Sequence, residues 1–282
     1  MKILIILDSF GSGGAQKLAV NLASGFIKKS HETHLFRYDN SSNFFEPEIK
    51  SLGIKVFQPK KISDNKILRG INIIRNIRNT LIENKYDCII SFLHIPSFYS
   101  SIAKIGIYKG KLVVCELSSS MAPVRVVTKV AFFIACILSN KVVANSHNEA
   151  KIINSRFMLS GKTHSIYNGL NLGEMNNNTF IQKKEKTILI IARVAYPKNG
   201  LNLLKGLLCF YKKNGWAPKI DWFGRFDNDS KSLKMQSQMN DLISKNQILK
   251  DKFEFKGETR NVSSLYKSYE VLILPSIYEG LP

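Results

Sequence analysis

Strand-length apolar runs alternate with helical periods from one end of this chain to the other, and few architectures accept that pattern. Met1 to Asp8, Thr33 to Arg37, Ile54 to Phe57, Tyr86 to Leu93, Leu112 to Glu116 and Lys141 to Asn145 are each too short for a helix and too apolar for one-sided exposure. Between them lie segments with apolar residues at helical spacing, such as Ala15, Leu18, Ala19, Leu22 and Phe26. Strands that are apolar on both faces and joined by helices belong to parallel sheets with helices on each side. The fold class expected is therefore α/β with parallel sheets.

The rhythm breaks once. Residues 173 to 186 are polar, include Asn176 to Asn178, and carry no apolar period, so they read as a linker. The division expected is an amino-terminal unit over 1–172 with seven strands and a carboxyl-terminal unit over 187–282 with four. At 282 residues and 44% apolar content, the chain is long enough to give each unit its own core.

Four cysteines, Cys88, Cys115, Cys136 and Cys209, lie singly in apolar runs and read as buried thiols in a reducing compartment. The apolar start is too short for a signal peptide, and Val130 to Leu138 is far shorter than the roughly 20 residues that span a bilayer. A net charge of +20 draws the protein toward polyanions, whether nucleic acid, anionic lipid or phosphorylated small molecules. In the segment Lys66 to Lys85, Ile67, Ile71, Ile74, Ile77 and Leu81 form one helical face. Arg69, Asn72, Arg75, Asn76, Asn79 and Glu83 form the other, which reads as solvated or as resting against anionic lipid.

Chemistry-bearing residues gather where strands end. After the first strand, Gly11, Gly13 and Gly14 lead into a helix, the arrangement that cradles a phosphate, although a glycine turn without a ligand needs the same residues. His94 ends the strand at Tyr86 to Leu93, and Glu116 ends the next; a His there serves either acid/base chemistry or structure. Arg193 closes the apolar strand Thr187 to Ala192, with Lys198 five residues on. A guanidinium fork and an ammonium beside a helix start suit a diphosphate. Val271 to Leu274 reads as a buried strand that runs through Pro275-Ser276 into a turn carrying Glu279.

Several of these stretches resemble family-four retaining glycosyltransferases of the GT-B fold. Gly13-Gly14-Ala15-Gln16 is similar to their Gly-Gly-Ala-Glu loop, and Ile166-Tyr167-Asn168-Gly169-Leu170-Asn171 to their Ile-x-Asn-Gly-Val-Asp. Arg193 to Asn199 looks like the donor motif Gly-Arg-x-x-x-x-Lys-Gly/Asn, with Ala192 in place of its first Gly. Phe253 to Gly257 looks like a Phe-x-Gly stretch, and Pro275 to Pro282 like the opening of Glu-x7-Glu. The resemblance implies two Rossmann-like parallel-sheet domains facing a cleft, the second incomplete because the chain stops before the second Glu.

It further implies transfer of a sugar from a nucleotide diphosphate sugar, UDP- or GDP-linked, to an acceptor hydroxyl with retention of configuration. Arg193, Lys198, Gly280 and Leu281 would bind the donor phosphates, Glu279 the donor sugar, Gly13 and Gly14 would lie at the phosphate loop, and Glu116 would stand in a turn that faces the acceptor. The catalytic candidates are then Glu279, Glu116 and, from its place at a strand end, His94. With two cations on the diphosphate, and no Asp-x-Asp motif read to hold a metal, neither metal nor cofactor is expected. The partners implied are a saccharide or lipid-linked acceptor and an anionic membrane surface, in surface polysaccharide synthesis at the cytoplasmic face of the membrane. A truncated relative that only binds sugar or membrane is the alternative. A sugar-nucleotide epimerase fits Tyr278 to Pro282 less well, and a nucleic-acid partner, which only the charge favours, is not expected.

Overall fold

The computed structural model describes residues 1–59, 63–117, 124–159, 161–169 and 184–279. The chain divides into two compact units, Met1–Leu170 and Asn171–Gly280.

The first unit is built on a parallel sheet in the order β3-β2-β1-β4-β5-β6-β7. Its strands are β1 (Lys2–Ile6), β2 (Glu32–Phe36), β3 (Lys55–Phe57), β4 (Cys88–Phe92), β5 (Lys111–Glu116), β6 (Lys141–Ala144) and β7 (Thr163–Ser165). Alternate residues of β1 serve opposite faces, as the pleat requires. Ile3, Ile5 and Leu7 pack with Ala19, Val20 and Ala23 of α1 (Gly14–Lys28) and with Ile49 of α2 (Glu46–Ser51). Leu4 and Ile6 face the other core, which is closed by α3 (Lys66–Asn84), α4 (His94–Ala103), α5 (Val126–Leu138) and α6 (His147–Phe157). Burial on both faces explains why these strands are continuous apolar runs.

The second unit repeats the plan with a parallel sheet in the order β10-β9-β8-β11. It comprises β8 (Lys184–Ile191), β9 (Lys219–Phe223), β10 (Phe253–Gly257) and β11 (Tyr269–Leu272). Four helices join them, α7 (Gly200–Asn214), α8 (Ser230–Ser244), α9 (Gln247–Lys252) and α10 (Val262–Ser268). Trp222, fully buried on β9, centres the core with Leu204 and Leu207 of α7 and Met235 and Met239 of α8. Gly200 opens α7 because a side chain there would strike Met239, with 2.6 Å from the missing Cβ to its Sδ. The buried Asp221 of β9 accepts from the Tyr269 hydroxyl at 2.6 Å, tying two strands that β8 separates. Burial, first, and that hydrogen bond, second, push the Tyr269 phenol well above its usual range.

Among the described residues the seven- and four-strand expectation holds, with local corrections. β11 is an edge strand, and Val271, Leu272 and Leu274 are each close to half exposed, so the stretch expected to be a buried strand is buried only in part. On α3, Ile73, Ile77 and Leu81 are in the core, but Ile67 and Ile71 are exposed because the first turns extend past the sheet-facing stripe. All four cysteines are free thiols. Burial pushes Cys115 and Cys136 up to about 12, but Cys209 is exposed on the outer side of α7. Residues 173 to 183 of the expected linker lie outside the described residues, and residues 184 to 186, expected in the linker, instead begin β8.

Asp229 caps α8, with its Oδ1 accepting from the backbone amides of Lys231 and Ser232 at 3.1 Å. The Ser232 hydroxyl also donates to its carboxylate, and these bonds hold the carboxyl below its usual range. A depressed carboxyl contributes stability at pH values above its unfolded pKa, and that contribution is lost as the pH falls through the folded value. Asp229→Ala should therefore lower unfolding free energy by about 1 kcal/mol near neutral pH. Urea melts of both proteins should show that gap closing in acid.

Candidate active site

Each sheet has one place where the chain leaves neighbouring strands in opposite directions, and there the loops at the carboxyl ends part to leave a crevice. In the first unit it lies between β1 and β4, since β1 pairs with β2 on one side and β4 on the other. The loop after β1 reaches α1 through Gly13, the residue preceding that helix, which leaves its cap without a side-chain hydrogen bond. A Cβ at Gly13 would stand 2.2 Å from the Gln16 Oε1, whereas one at Gly14 would meet nothing within 4 Å. Gln16 points inward, its Nε2 donating to Asp8 Oδ1 at 3.0 Å, and Asp8 also accepts from the Ser9 amide at 2.6 Å. The Gln16 side chain thus braces the loop.

On the other side of this crevice, β4 ends and α4 begins within two residues. Leu93 makes that turn at φ 71° and ψ 159°, a conformation that costs a residue with a Cβ about 1–3 kcal/mol. Its effect is to present His94 as the first residue of α4. His94 Nε2 meets the Glu116 carboxylate at the end of β5, and its ring lies 4.5 Å from that of Phe132 on α5. Since a carboxylate accepts, Nε2 carries the proton. Glu116 is only 5% exposed, so the imidazole is held by a nearly buried charge.

In the second unit the corresponding crevice lies between β8 and β11. Ala192 continues β8 by donating its amide to the Phe223 carbonyl at 3.0 Å, and its own carbonyl accepts from Trp222 Nε1 at 2.7 Å. Gly224 passes so close that a Cβ would lie 1.9 Å from that same oxygen, and its φ is 154°. Val194 then bonds to the Arg225 carbonyl at 2.7 Å, so the paired ends of β8 and β9 hold Arg193 between them. Its guanidinium meets Asp227, whose carboxylate also lies 3.7 Å from Arg225 Nε.

A single 3-10 turn, Tyr196–Lys198, follows and leads through Asn199, at φ 57°, into α7. It is clasped from both sides: Ser232 Oγ accepts from the Tyr196 amide at 2.9 Å, and the Pro197 carbonyl accepts from the Ile277 amide at 2.8 Å. The second bond joins the loop after β8 to the loop after β11. Beside it Lys198 Nζ meets Glu279 Oε1, which also accepts from Ser276 Oγ at 2.6 Å. Lys198 and Glu279 are both mostly covered, with side-chain exposures of 16% and 26%. A cation, a carboxylate and a second cation on neighbouring turns can bind an anion and the hydroxyls next to it.

The sequence model of Glycosyltransferase Family 4 matches residues 12–174. The chain belongs to Glycosyltransferase Family 4. As a member of that family it is a glycosyltransferase, and its two parallel-sheet units are those of the GT-B fold.

The chain is 28% identical to the GalNAc-alpha-(1->4)-GalNAc-alpha-(1->3)-diNAcBac-PP-undecaprenol alpha-1,4-N-acetyl-D-galactosaminyltransferase of Campylobacter jejuni, with all of this chain and 75% of that protein covered. It is 23% identical to the amylovoran biosynthesis glycosyltransferase AmsD of Erwinia amylovora, covering 76% of that protein. Among solved structures it is similar to Anabaena Alr3699/HepE in complex with UDP-glucose, with a TM-score of 0.73, 17% identity, and 96% and 73% of the two chains covered.

Of the site residues read from the glycosyltransferase sequence, His94 and Glu116 come together, as do Lys198 and Glu279, while Arg193 sits five residues before Lys198 on the same strand exit. Gly13 and Gly14 stand at the start of α1 as expected, while Gly280 and Leu281 lie outside the described residues. Asp227 was missed. With Asp229 it spells Asp-x-Asp, which corrects the expectation that the chain has no such motif. The structure shows both carboxylates already engaged, Asp227 with Arg193 and Arg225, and Asp229 in the cap of α8. The sequence signal for Asp227 was its place in the loop after β9, the strand beside Arg193's own.

Gly224→Ala should destabilise the second unit by more than about 2 kcal/mol, since a Cβ has neither a permitted φ nor room beside Ala192. Denaturant melts that resolve the two units should show the loss confined to the second.

Proposed function

We propose that this glycosyltransferase moves a sugar from a nucleoside diphosphate sugar to an acceptor hydroxyl, with retention of anomeric configuration, in synthesis of a bacterial surface polysaccharide. The observation that carries the reading is the meeting of Lys198 and Glu279, from the turns after β8 and β11, next to Arg193. Arg193 and Lys198 would neutralise the leaving diphosphate, whose charge grows as the glycosidic bond breaks. Glu279, already an acceptor for one hydroxyl at Ser276, would accept from donor sugar hydroxyls.

Without donor, Lys198 and Glu279 balance each other; on binding, phosphate oxygens would take the ammonium and sugar hydroxyls the carboxylate. This exchange keeps two partly buried charges paired throughout. We assign the amides of Gly280 and Leu281 to the phosphates, the backbone near Gly257 to the nucleobase, and the Gly13–Gly14 loop and His94, oriented by Glu116, to the acceptor side. The two cations supply the positive charge that a metal supplies elsewhere, so neither metal nor cofactor enters the proposal. For retention, the acceptor oxygen would approach the anomeric carbon from the face the diphosphate leaves, and a departing phosphate oxygen would take its proton.

The acceptor class is supported by the Campylobacter relative, named for a saccharide on undecaprenyl diphosphate, and the pathway by the amylovoran relative. A lipid-linked acceptor would bring the protein to the cytoplasmic face of the membrane. Incubation with UDP- and GDP-sugars and an undecaprenyl diphosphate saccharide should yield a product heavier by one sugar. Its anomeric proton should show the donor's configuration; inversion or no product would contradict the reading.

Arg193→Ala should reduce kcat/KM at least about 100-fold with little change in melting temperature, because its side chain is 44% exposed and serves charge more than packing. Glu279→Gln should raise donor KM about tenfold, since an amide replaces charged hydrogen bonds to sugar hydroxyls. Steady-state kinetics on purified, folded variants reads both, and unchanged constants would remove the residue from the site.

A further inference from the structure

We propose that Gln236 of α8 is a positioning residue for donor binding, which fixes the two chain segments that aim Arg193 at the diphosphate. Past the end of the sheet, the exit of β8 and the loop after β9 stay side by side through one isolated parallel bridge, Val194 to Phe226. The backbone link there is uneven. Val194 donates to the Arg225 carbonyl at 2.7 Å, but the return bond, from the Asp227 amide to the Val194 carbonyl, is 3.3 Å long. Gln236 closes the weaker side. Its Nε2 donates to the Val194 carbonyl at 2.8 Å and to the Asp227 carbonyl at 2.7 Å.

The task suits a primary amide, whose nitrogen carries two hydrogens that diverge toward two acceptors. One acceptor belongs to the residue that follows Arg193, and the other to the residue whose carboxylate meets the Arg193 guanidinium. A single side chain thus sets, through the backbone, the separation between the two ends of that ion pair. α8 can hold the amide still because its opposite side is in the core, where Met235 and Met239 are buried. Ser232 stands one turn before Gln236 and so on the same side of the helix, and its Oγ accepts from the Tyr196 amide at 2.9 Å. The chain leaving Arg193 is therefore fastened to α8 at Val194 and again at Tyr196.

Arg193 needs this support. Its side chain is 44% exposed, and a long guanidinium in solvent samples many rotamers unless a fixed partner selects one. Asp227 is that partner: one carboxylate oxygen meets Arg193, and the other lies 3.7 Å from Arg225 Nε. That carboxylate is only as fixed as the loop that carries it. Lys198 is held differently, by Glu279 from the loop after β11, so loss of Gln236 would fall on Arg193 rather than on Lys198.

The inference rests on the reading of Arg193 as a ligand of the donor diphosphate, and a double-mutant cycle separates the two. Calorimetric titration with UDP, GDP and their monophosphates compares the wild type, Gln236→Met, Arg193→Ala and the double variant. Methionine keeps the length of the side chain and donates no hydrogen bond. Gln236→Met should weaken diphosphate binding about tenfold and change monophosphate binding by less than about twofold, a split that general loosening of the unit would not produce. In the Arg193→Ala background the same substitution should cost less than about twofold. Should Gln236→Met melt well below the wild type, Gln236→Glu, which keeps the shape and, when protonated, one of the two hydrogen bonds, takes its place with the same pattern required. Equal losses in both backgrounds, equal losses for diphosphate and monophosphate, or no loss beside an impaired Arg193→Ala would overturn the role of Gln236 and leave that of Arg193 standing. Unchanged diphosphate binding by Arg193→Ala, or no binding of either diphosphate by the wild type, would remove the reading of Arg193 and the inference with it.

Discussion

A parallel sheet forces its chain to return over one face after every strand, and the structure depends on where that rule is suspended. Between β1 and β4, and again between β8 and β11, adjacent strands send their crossovers in opposite directions. No helix can close the space above such a pair. The backbone there has open carboxyl-end turns, and side chains on those turns face a crevice instead of a core. His94 with Glu116 borders the first crevice, and Arg193, Lys198 and Glu279 line the second. Both groups are consequences of strand order before they are consequences of residue identity.

What residue identity adds is control of charge. The second crevice holds cations that would repel one another and destabilise the fold if left unanswered. Asp227 answers Arg193, and Glu279 answers Lys198. These partners differ in kind: Asp227 belongs to the paired ends of β8 and β9, whereas Glu279 comes from across the crevice and shares its carboxylate with Ser276. The first arrangement sets an orientation, and the second is one that an incoming anion can trade against. The same separation of roles appears in the first unit, where Gln16 and Asp8 brace a loop while Glu116 holds an imidazole at the rim.

The strand count was legible because β1, β4, β5 and residues 187–191 of β8 are mostly buried on both faces and so read as apolar runs. β11 looks the same in sequence, and only its place at the sheet edge tells it apart; a single strand's residues do not encode how many neighbours it has. The first turns of α3 misled for the opposite reason, since Ile67 and Ile71 keep the helical period after the sheet beneath them has ended. Arg193, Lys198 and Glu279 were visible as residues at strand ends. Their pairings were not, because Asp227 and Ser276 sit in loops without a period, and contact across a crevice follows from strand order that local pattern does not carry. Cys209 shows the limit on one helix, where a residue in an apolar run of α7 still falls on its outer side.

The claim on which the rest turns is that the crevice between β8 and β11 grips a diphosphate. Calorimetric titration of the purified protein with UDP, GDP and the matching monophosphates measures this without any acceptor. The account predicts that at least one diphosphate binds about tenfold or more tightly than its monophosphate, the difference being the second phosphate held between Arg193 and Lys198. Equal affinities for diphosphate and monophosphate, or binding of neither, would contradict it.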